Sequence, residues 1–450
     1  MKKFKFKSFS DTHIFILFAA ILSFYKLSFS NFAYTPYLDD YVQYMYYPFY
    51  PKPFENILFG GAKTAFSRPF AAVFDLFFTA PVFSHPTAAL LFYCGLYTAS
   101  GIIFFILLKK ITNKRNPFFL IFYLLLPTIT EGTYWISAAT RISAGMFFAS
   151  LALFAMYKKN FFSFFVCFLF SLGFYEQTAL LSFFLVFLLF LLSKKDYFKY
   201  FATAIFLLLI FVLYYMFFGT KSNNSHRIGF SSFDLKNIKN VFFSLLTLLT
   251  KVQLPLYVQG FLKGLKLSAQ AGFFRLLILL TICFLFCKTN FLKDTSSKKY
   301  IKSAKFIFFG TIIFAVPLAP FFVIKNPWLN FRNLVPSVLG FSIIANEIFS
   351  LLPKGKRAVL FFLSFYLTIC CISEIYDYRQ TALYDEKIIF FTANQKPEND
   401  VFYFKKEKSD YLPQPSPYND HIMSITGSDW GLSGAVRAVL KKSTPTVKAE

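Results

Sequence analysis

The chain has 450 residues, of which 56% are hydrophobic, 22% are aromatic and only 15% are charged, and its formal net charge is +25. A soluble globular protein carries about 25% charged residues, so the composition excludes an ordinary soluble domain and predicts a helical protein that crosses a membrane many times. The basic excess does not indicate nucleic-acid binding, because the Lys and Arg mostly lie in short loops between apolar runs, where they orient a membrane protein.

The apolar runs alternate with short basic clusters from the N-terminus onward. The first run, 12–32, follows a basic start and has no small-residue cleavage site, so we expect a retained span and not a signal peptide. Basic residues near span ends favour the cytoplasm, and placing every cluster there requires an even number of crossings between neighbouring clusters. This condition predicts eleven spans, at about 12–32, 86–108, 117–131, 141–157, 161–175, 178–193, 200–219, 273–288, 306–324, 336–352 and 358–373.

Two further apolar segments, 68–83 and 237–258, would turn later basic clusters outward if they crossed the bilayer, and we expect them to lie at the outer interface. The predicted fold class is therefore an all-α polytopic membrane protein. Its expected location is the plasma (inner) membrane, with the N-terminus in the cytoplasm. The predicted parts are a multispan domain over 1–373, its first outer loop at 33–85, its outer interfacial segment at 220–272, and a small extracytoplasmic tail over 374–450.

This topology places a set of ionisable residues on the outer face, whereas the cytoplasmic loops hold mostly Lys. The adjacent acids Asp39 and Asp40 stand in the first outer loop, in the sequence LDDY. Ionisable residues at a membrane edge need a partner or a wet cavity, which makes them functional candidates. The other candidates on this face are Arg68, Glu131, Trp135, Arg141, Glu176 and Arg332.

The order of these residues resembles the GT-C glycosyltransferases, and within them the protein O-mannosyltransferase-like branch, which includes the O-mannosyltransferases with tetratricopeptide repeats. That branch has an acidic pair in the first outer loop, then Arg-Pro before an interfacial helix. A run of Pro, Glu, Trp and Arg follows, then a Glu at the next outer turn, and Arg with Pro-Ser and Gly before a late span. The resemblance covers about residues 12–345, without the repeats. The matching positions are Asp39-Asp40, Arg68-Pro69, Pro127, Glu131, Trp135, Arg141, Glu176, Arg332, Pro336-Ser337 and Gly340.

The resemblance implies an enzyme that moves a sugar from a polyprenyl-phosphate-linked donor in the bilayer to a hydroxyl on a glycan, lipid or protein. Such a transfer needs a base for the hydroxyl proton and positive charge for the departing phosphate. We expect Asp39 to be the base. Asp40 is expected to orient an arginine or to hold a divalent cation, for which carboxylate oxygens suit Mg²⁺ or Mn²⁺. The expected phosphate ligands are Arg68, Arg141 and Arg332, with Glu131, Glu176 and Trp135 also lining the substrate site.

Simpler interpretations stay open at the same positions. The acidic pair can be solvated charge, Glu131 and Arg141 can form a structural ion pair, and Trp135 can belong to an interfacial aromatic belt. Two other functions also remain for the chain, namely a polysaccharide polymerase or ligase of another multispan family, and a transporter or flippase. A transporter is expected to show two related halves with polar breaks near mid-span.

Overall fold

The computed structural model describes most of the chain, and within that part the chain is almost entirely helical. Residues 220–234 of the predicted outer interfacial segment lie outside the described residues, as do the last residues of the predicted span 306–324. The described residues are 11–59, 63–112, 117–218, 235–288, 299–322, 329–352, 354–397, 400–404, 422–427, 429–443 and 446–449.

Six helices in the described part are long and apolar enough to cross a membrane. A helix rises 1.5 Å per residue and the hydrocarbon core is about 30 Å thick, so that a crossing takes about 20 residues. The last of the six continues well beyond the span predicted at 358–373. The six helices are Pro86–Thr112, Ile136–Tyr157, Lys194–Phe218, Asn237–Gln270, Ser303–Phe322 and Lys356–Ala393.

Several predicted spans correspond to helices that are shorter than a full crossing. In the segment predicted as 117–131, the helix ends at Leu125, because Leu126 is extended and Pro127 follows it; proline disfavours helical backbone in the residue before it. Conversely, 237–258, predicted to lie at the interface, belongs to a helical segment of crossing length. The figure of eleven crossings therefore stays a prediction. The shorter helices are Asp11–Ser28, Pro53–Phe59, Thr64–Ser67, Pro69–Phe74, Ala80–Val82, Phe118–Leu125, Thr130–Tyr134, Phe161–Leu172, Glu176–Leu192, Phe273–Cys287, Phe331–Leu334 and Val338–Ser350.

The core is centred on the short helix Phe118–Leu125, in which every residue is buried. It packs against the helices Asp11–Ser28, Pro86–Thr112, Val338–Ser350 and Lys356–Ala393. A helix that is apolar all round needs such a surrounding. The loop that follows it, 126–135, therefore emerges from the middle of the helix bundle, and this loop carries two of the candidate site residues.

A buried lysine stabilises the C-terminal end of this central helix. Lys26 is only 2% exposed, and its ammonium donates to the main-chain oxygen of Leu124 at 3.4 Å. The thiol of Cys371 donates to the oxygen of Leu125 at 3.1 Å. Carbonyl groups at a helix C-terminus lack partners in the helix and attract positive charge, so these two side chains act as its C-terminal cap.

The C-terminal part folds back onto the first outer loop. Strands Val401–Phe404 and Thr446–Ala449 pair in parallel, with Val401 opposite Thr446. The helix Asp429–Leu440, here called the tail helix, packs against the π-helical segment Tyr41–Tyr46 that follows the acidic pair. The sequence is consistent with a short helix here, because the Pro-rich stretches of the tail all come before residue 429. The tail thus contributes structure beside the candidate site.

Candidate functional site

Asp40 is fully buried at the start of the segment Tyr41–Tyr46 and holds three hydrogen bonds. Its Oδ2 accepts from the Tyr34 hydroxyl and, at 3.0 Å, from the main-chain N–H of Tyr37. Its Oδ1 accepts from the main-chain N–H of Ser137 at 2.9 Å. Burial raises the pKa of Asp40 to about 7, although the three donors act in the opposite direction. The carboxyl group therefore ionises near neutral pH.

The same acid caps a helix that begins far away in the sequence. The helix Ile136–Tyr157 starts after Trp135, whose side chain makes no capping bond. Its first N–H group donates to the Tyr34 hydroxyl at 3.1 Å and its second donates to Asp40. The N-terminus of a helix carries unpaired N–H groups and partial positive charge. Tyr34 and Asp40 therefore satisfy a helix end and are held in place by it.

The two acids of the pair have different surroundings. Leu38 adopts a φ of 45°, in the left-handed region that bulky residues rarely occupy. Such a conformation costs about 1–3 kcal/mol and is often found at functional sites. After this turn Asp39 is half-buried whereas Asp40 is fully buried. Only Asp39 is therefore near enough to the surface to meet a molecule arriving from water.

Arg332 lies between a carboxylate and an indole. Glu131 is 4% exposed; its Oε2 accepts from the main-chain N–H of Arg332 at 3.0 Å, and its Oε1 lies 3.9 Å from the guanidinium Nε. The guanidinium carbon lies 4.9 Å from the ring centroid of Trp135, within the range of a cation–π contact. The indole N–H donates to the main-chain oxygen of Tyr37 at 3.1 Å. This contact joins the arginine to the loop that holds Asp40.

Arg68 forms a forked ion pair with Glu176. The guanidinium Nε lies 3.1 and 3.2 Å from the two carboxylate oxygens, and Nη2 lies 3.0 Å from Oε2. The guanidinium also stacks over the Tyr175 ring at 4.8 Å, and the Tyr175 hydroxyl accepts from Asn333 at 2.6 Å. Because Asn333 follows Arg332 in the chain, these contacts bring the segments around Arg68, Glu176 and Arg332 together.

Arg141 pairs with Asp75. The open alternative of a Glu131–Arg141 ion pair is wrong, since Glu131 faces Arg332 and the Nη2 of Arg141 lies 3.8 Å from the Oδ2 of Asp75. The reason is local: Trp135 is extended, and it separates the helix that carries Glu131 from the helix that carries Arg141. The other side of the Arg141 guanidinium donates to the Ser137 hydroxyl at 3.0 Å and to its main-chain oxygen.

The structure thus brings Asp40, Glu131, Trp135, Arg141 and Arg332 into one network, and the Arg68–Glu176 pair joins it through Tyr175 and Asn333. Two branches lead to Asp40: one through Tyr37 and Trp135 to Arg332, and one through Ser137 to Arg141. Comparisons of the chain with protein-family models, curated proteins and solved structures find no match. The case for a function therefore rests on this network and on the order of its residues along the chain.

The surroundings of Asp40 do not fit a divalent cation. Both carboxylate oxygens already accept hydrogen bonds from N–H and O–H groups, whereas Mg²⁺ and Mn²⁺ bind clusters of oxygen acceptors. Among the described residues there is also no group of three or more His, Cys, Asp and Glu side chains that could hold a metal. These N–H and O–H donors stabilise the negative charge of the Asp40 carboxylate and would repel a metal ion, so the proposed reaction uses no metal.

Sequence reasoning missed several residues of the network. Tyr34, Tyr37 and Ser137 gave no signal, since aromatic and hydroxyl residues are common throughout the chain and their contacts are mostly made through the main chain. Asn333 was likewise hidden beside Arg332. Asp75 could have been found, because it is the one acid within the apolar segment 68–83, and a charge in such a segment must find a partner.

Proposed function

We propose that this protein is a membrane glycosyltransferase that moves a sugar from a polyprenyl-phosphate-linked donor to an acceptor hydroxyl at the outer face of the membrane. The observation that supports this most is the network that joins Asp40, the neighbour of Asp39, to Arg141 and Arg332, with Arg68 linked to it through Tyr175 and Asn333. These residues follow the order typical of GT-C enzymes. Six apolar helices of crossing length provide the setting in which a lipid-linked donor can be reached.

The roles follow from exposure and charge. Half-buried Asp39 accepts the proton of the acceptor hydroxyl, whose oxygen forms a bond to the anomeric carbon of the sugar. The bond between that carbon and the phosphate oxygen breaks, and the polyprenyl phosphate leaves with the bonding electrons. Asp40 is fixed by its three donors and supports the turn that carries Asp39.

The arginines stabilise the departing phosphate. Each is paired with a carboxylate along one edge of its guanidinium, and the exposed fractions of the Arg68, Arg141 and Arg332 side chains are 25%, 13% and 24%. A guanidinium matches phosphate oxygens with parallel N–H groups. The carboxylate partners keep the site close to neutral before the donor binds and fix the arginines in position, so that little reorganisation is needed when charge develops.

The test is donor-dependent release of polyprenyl phosphate by the purified full chain. The protein in detergent is incubated with a panel of polyprenyl-phosphate sugars, with and without candidate glycan, lipid and protein acceptors. We expect one donor to give release together with a sugar-bearing acceptor, and Asp39→Asn to abolish both. Absence of release with every donor would contradict the proposal. Uptake or flipping of a substrate in vesicles without bond cleavage would favour the transporter alternative.

A further inference from the structure

Asp75 is a buried carboxylate that accepts no proton and touches no substrate in the proposed reaction, where it serves only as the partner of Arg141. It follows the helix Pro69–Phe74 and is 0% exposed. Its Oδ1 accepts from the Tyr44 hydroxyl at 2.7 Å, and its Oδ2 accepts from the Gln43 amide at 3.3 Å. The same Oδ2 lies 3.8 Å from the guanidinium of Arg141. Asp75 therefore ties the first outer loop to an arginine of the site.

These contacts close a ring around the acidic pair. Arg141 holds Ser137 through its hydroxyl and main-chain oxygen, and the N–H of Ser137 holds Asp40. Asp40 leads directly into the segment Tyr41–Tyr46, whose side chains hold Asp75. Asp75 completes the ring at Arg141. The ring contains every contact that fixes the Oδ1 side of Asp40.

A purely stabilising role is a poor account of this pair. Removing two charges from water is costly, and apolar residues of the same volume often serve stability equally well. A buried ion pair can instead serve to fix a particular geometry, and here two hydrogen bonds, through Ser137, connect the pair to Asp40. Without Asp75, the guanidinium of Arg141 would lack its carboxylate in a position that is 13% exposed, and it would turn towards any other anion within reach.

We propose that Asp75 is a positioning residue that holds Arg141 and, through Ser137, the carboxylate of Asp40 in the geometry needed for transfer. This inference rests on the proposed function. Asp75 touches neither donor nor acceptor. Its contacts with Gln43 and Tyr44 hold the first outer loop, and its effect on Oδ1 of Asp40 passes through Arg141. A misplacement of about 1 Å at a reacting centre can lower a rate about 100-fold, and the pair should therefore affect kcat more than KM.

The experiment compares Asp75→Asn, Arg141→Gln and the double variant in the release assay. We expect kcat to fall about 10- to 100-fold in Asp75→Asn, with KM for the acceptor changed less than about threefold. The double variant should be slowed by much less than the product of the two single effects, because residues that act through one another are non-additive. Multiplication of the two single effects in the double variant would overturn the inference.

Glu347→Gln is the matched control for the loss of a buried carboxylate. Glu347 is 1% exposed, and its carboxylate accepts a hydrogen bond from the Ser303 hydroxyl at 2.9 Å. It lies on the helix Val338–Ser350 beside Asn346, whose side-chain oxygen accepts from the N–H of Phe119 at the start of the central helix Phe118–Leu125. Two of the candidate site residues follow the other end of that central helix. We expect this variant to lower thermal stability without lowering kcat of the folded fraction. If both variants lower kcat in proportion to their loss of stability, Asp75 is only structural and the inference is wrong.

A measurement that needs no substrate tests this inference independently of the proposed function. Hydrogen–deuterium exchange of the folded protein is measured over the segments that contain the Tyr37 and Ser137 amides, which both donate to Asp40. We expect Asp75→Asn to raise exchange of the Ser137 segment at least threefold, and Glu347→Gln to leave it unchanged. Unchanged exchange in Asp75→Asn overturns the inference even if transfer is observed. A wild-type protein that transfers no sugar refutes the proposed function alone.

Discussion

The main-chain N–H of Ser137 donates to Oδ1 of Asp40 at 2.9 Å across 97 residues of sequence. The bond joins the first outer loop to the first turn of the helix Ile136–Tyr157. This capping bond favours the charged form of Asp40 and acts against burial, which is the larger effect on its pKa. It also brings Arg141, one turn later on the same helix, to the side of the acidic pair.

The two acids of the pair should have different roles, with Asp39 as the base and Asp40 as the residue that holds the turn in place. Asp39→Asn removes the proton acceptor and should lower turnover about 10²- to 10⁴-fold, with little change in thermal stability because the residue is half-buried. Asp40→Asn places an amide among three donors and should lower the free energy of unfolding by about 1–3 kcal/mol, with a smaller loss of turnover. Turnover and thermal unfolding are measured on both variants. Wild-type turnover in the double Asn variant would show that neither acid takes part.

Stability and turnover should depend on pH in opposite directions through Asp40. Burial raises the pKa of Asp40 from 3.8 to about 7, so the folded protein retains a proton that the unfolded chain releases. The contribution of Asp40 to stability is therefore largest below about pH 4 and falls as the pH rises to about 7. Turnover should rise over pH 6–8, as the carboxylate forms and holds its three donors. Both dependences should be weaker in Asp40→Asn, and identical pH profiles in the two proteins would contradict this assignment.

The arginines should not tolerate lysine. Arg332→Lys cannot both stack on Trp135 and keep a planar edge towards a phosphate, and Arg68→Lys cannot reproduce the fork with Glu176. We expect each variant to lose roughly ten- to hundredfold in turnover, which corresponds to one charged hydrogen bond. Insertion into the membrane is checked by fractionation. The control is Lys52→Arg, at an exposed basic residue that pairs with Glu55. Full activity in both site variants would leave these arginines as structural anchors.

The sequence predicts some features of this site and hides others for identifiable reasons. Asp39 and Asp40 are conspicuous because acids are scarce among apolar runs, and the helices follow those runs. The partners of Glu131 and Arg141 could not be predicted, since ten residues of separation suggested a local pair, whereas Trp135 breaks the helix between them. Partner choice depends on which outer turns meet, and this is determined by packing around the helix Phe118–Leu125.

The topology can be tested with a reporter that is active only outside the cytoplasm. The basic clusters predict activity after residue 224 or 400 and silence after 112, 196 or 296. Activity after 112 would make 68–83 a true span and would invert the later loops. The pair at 224 and 296 tests Asn237–Gln270, whose length and composition permit a crossing: one crossing between these positions puts them on opposite sides, and two put them on the same side.

The tail helix should be needed for the shape of the first outer loop. A Cβ added at Gly434 would overlap the Val42 side chain, so the tail helix and the segment Tyr41–Tyr46 are in closest contact at this glycine. Overpacking of this kind costs about 1–3 kcal/mol. In Gly434→Val we expect a lower unfolding temperature together with lower turnover, because the shifted segment carries the groups that hold Asp75.

A second substitution makes this prediction specific to the contact. Val42→Ala removes the methyl groups that the new side chain meets, and the double variant Val42→Ala with Gly434→Val should recover part of the stability and turnover lost in Gly434→Val. Gly427→Ala is the matched control, since a Cβ there meets nothing within 4 Å. Wild-type turnover in a stably folded Gly434→Val protein would mean that the tail helix can move away without disturbing the site. The segment Tyr41–Tyr46 would then be held by Asp75 and the membrane domain alone.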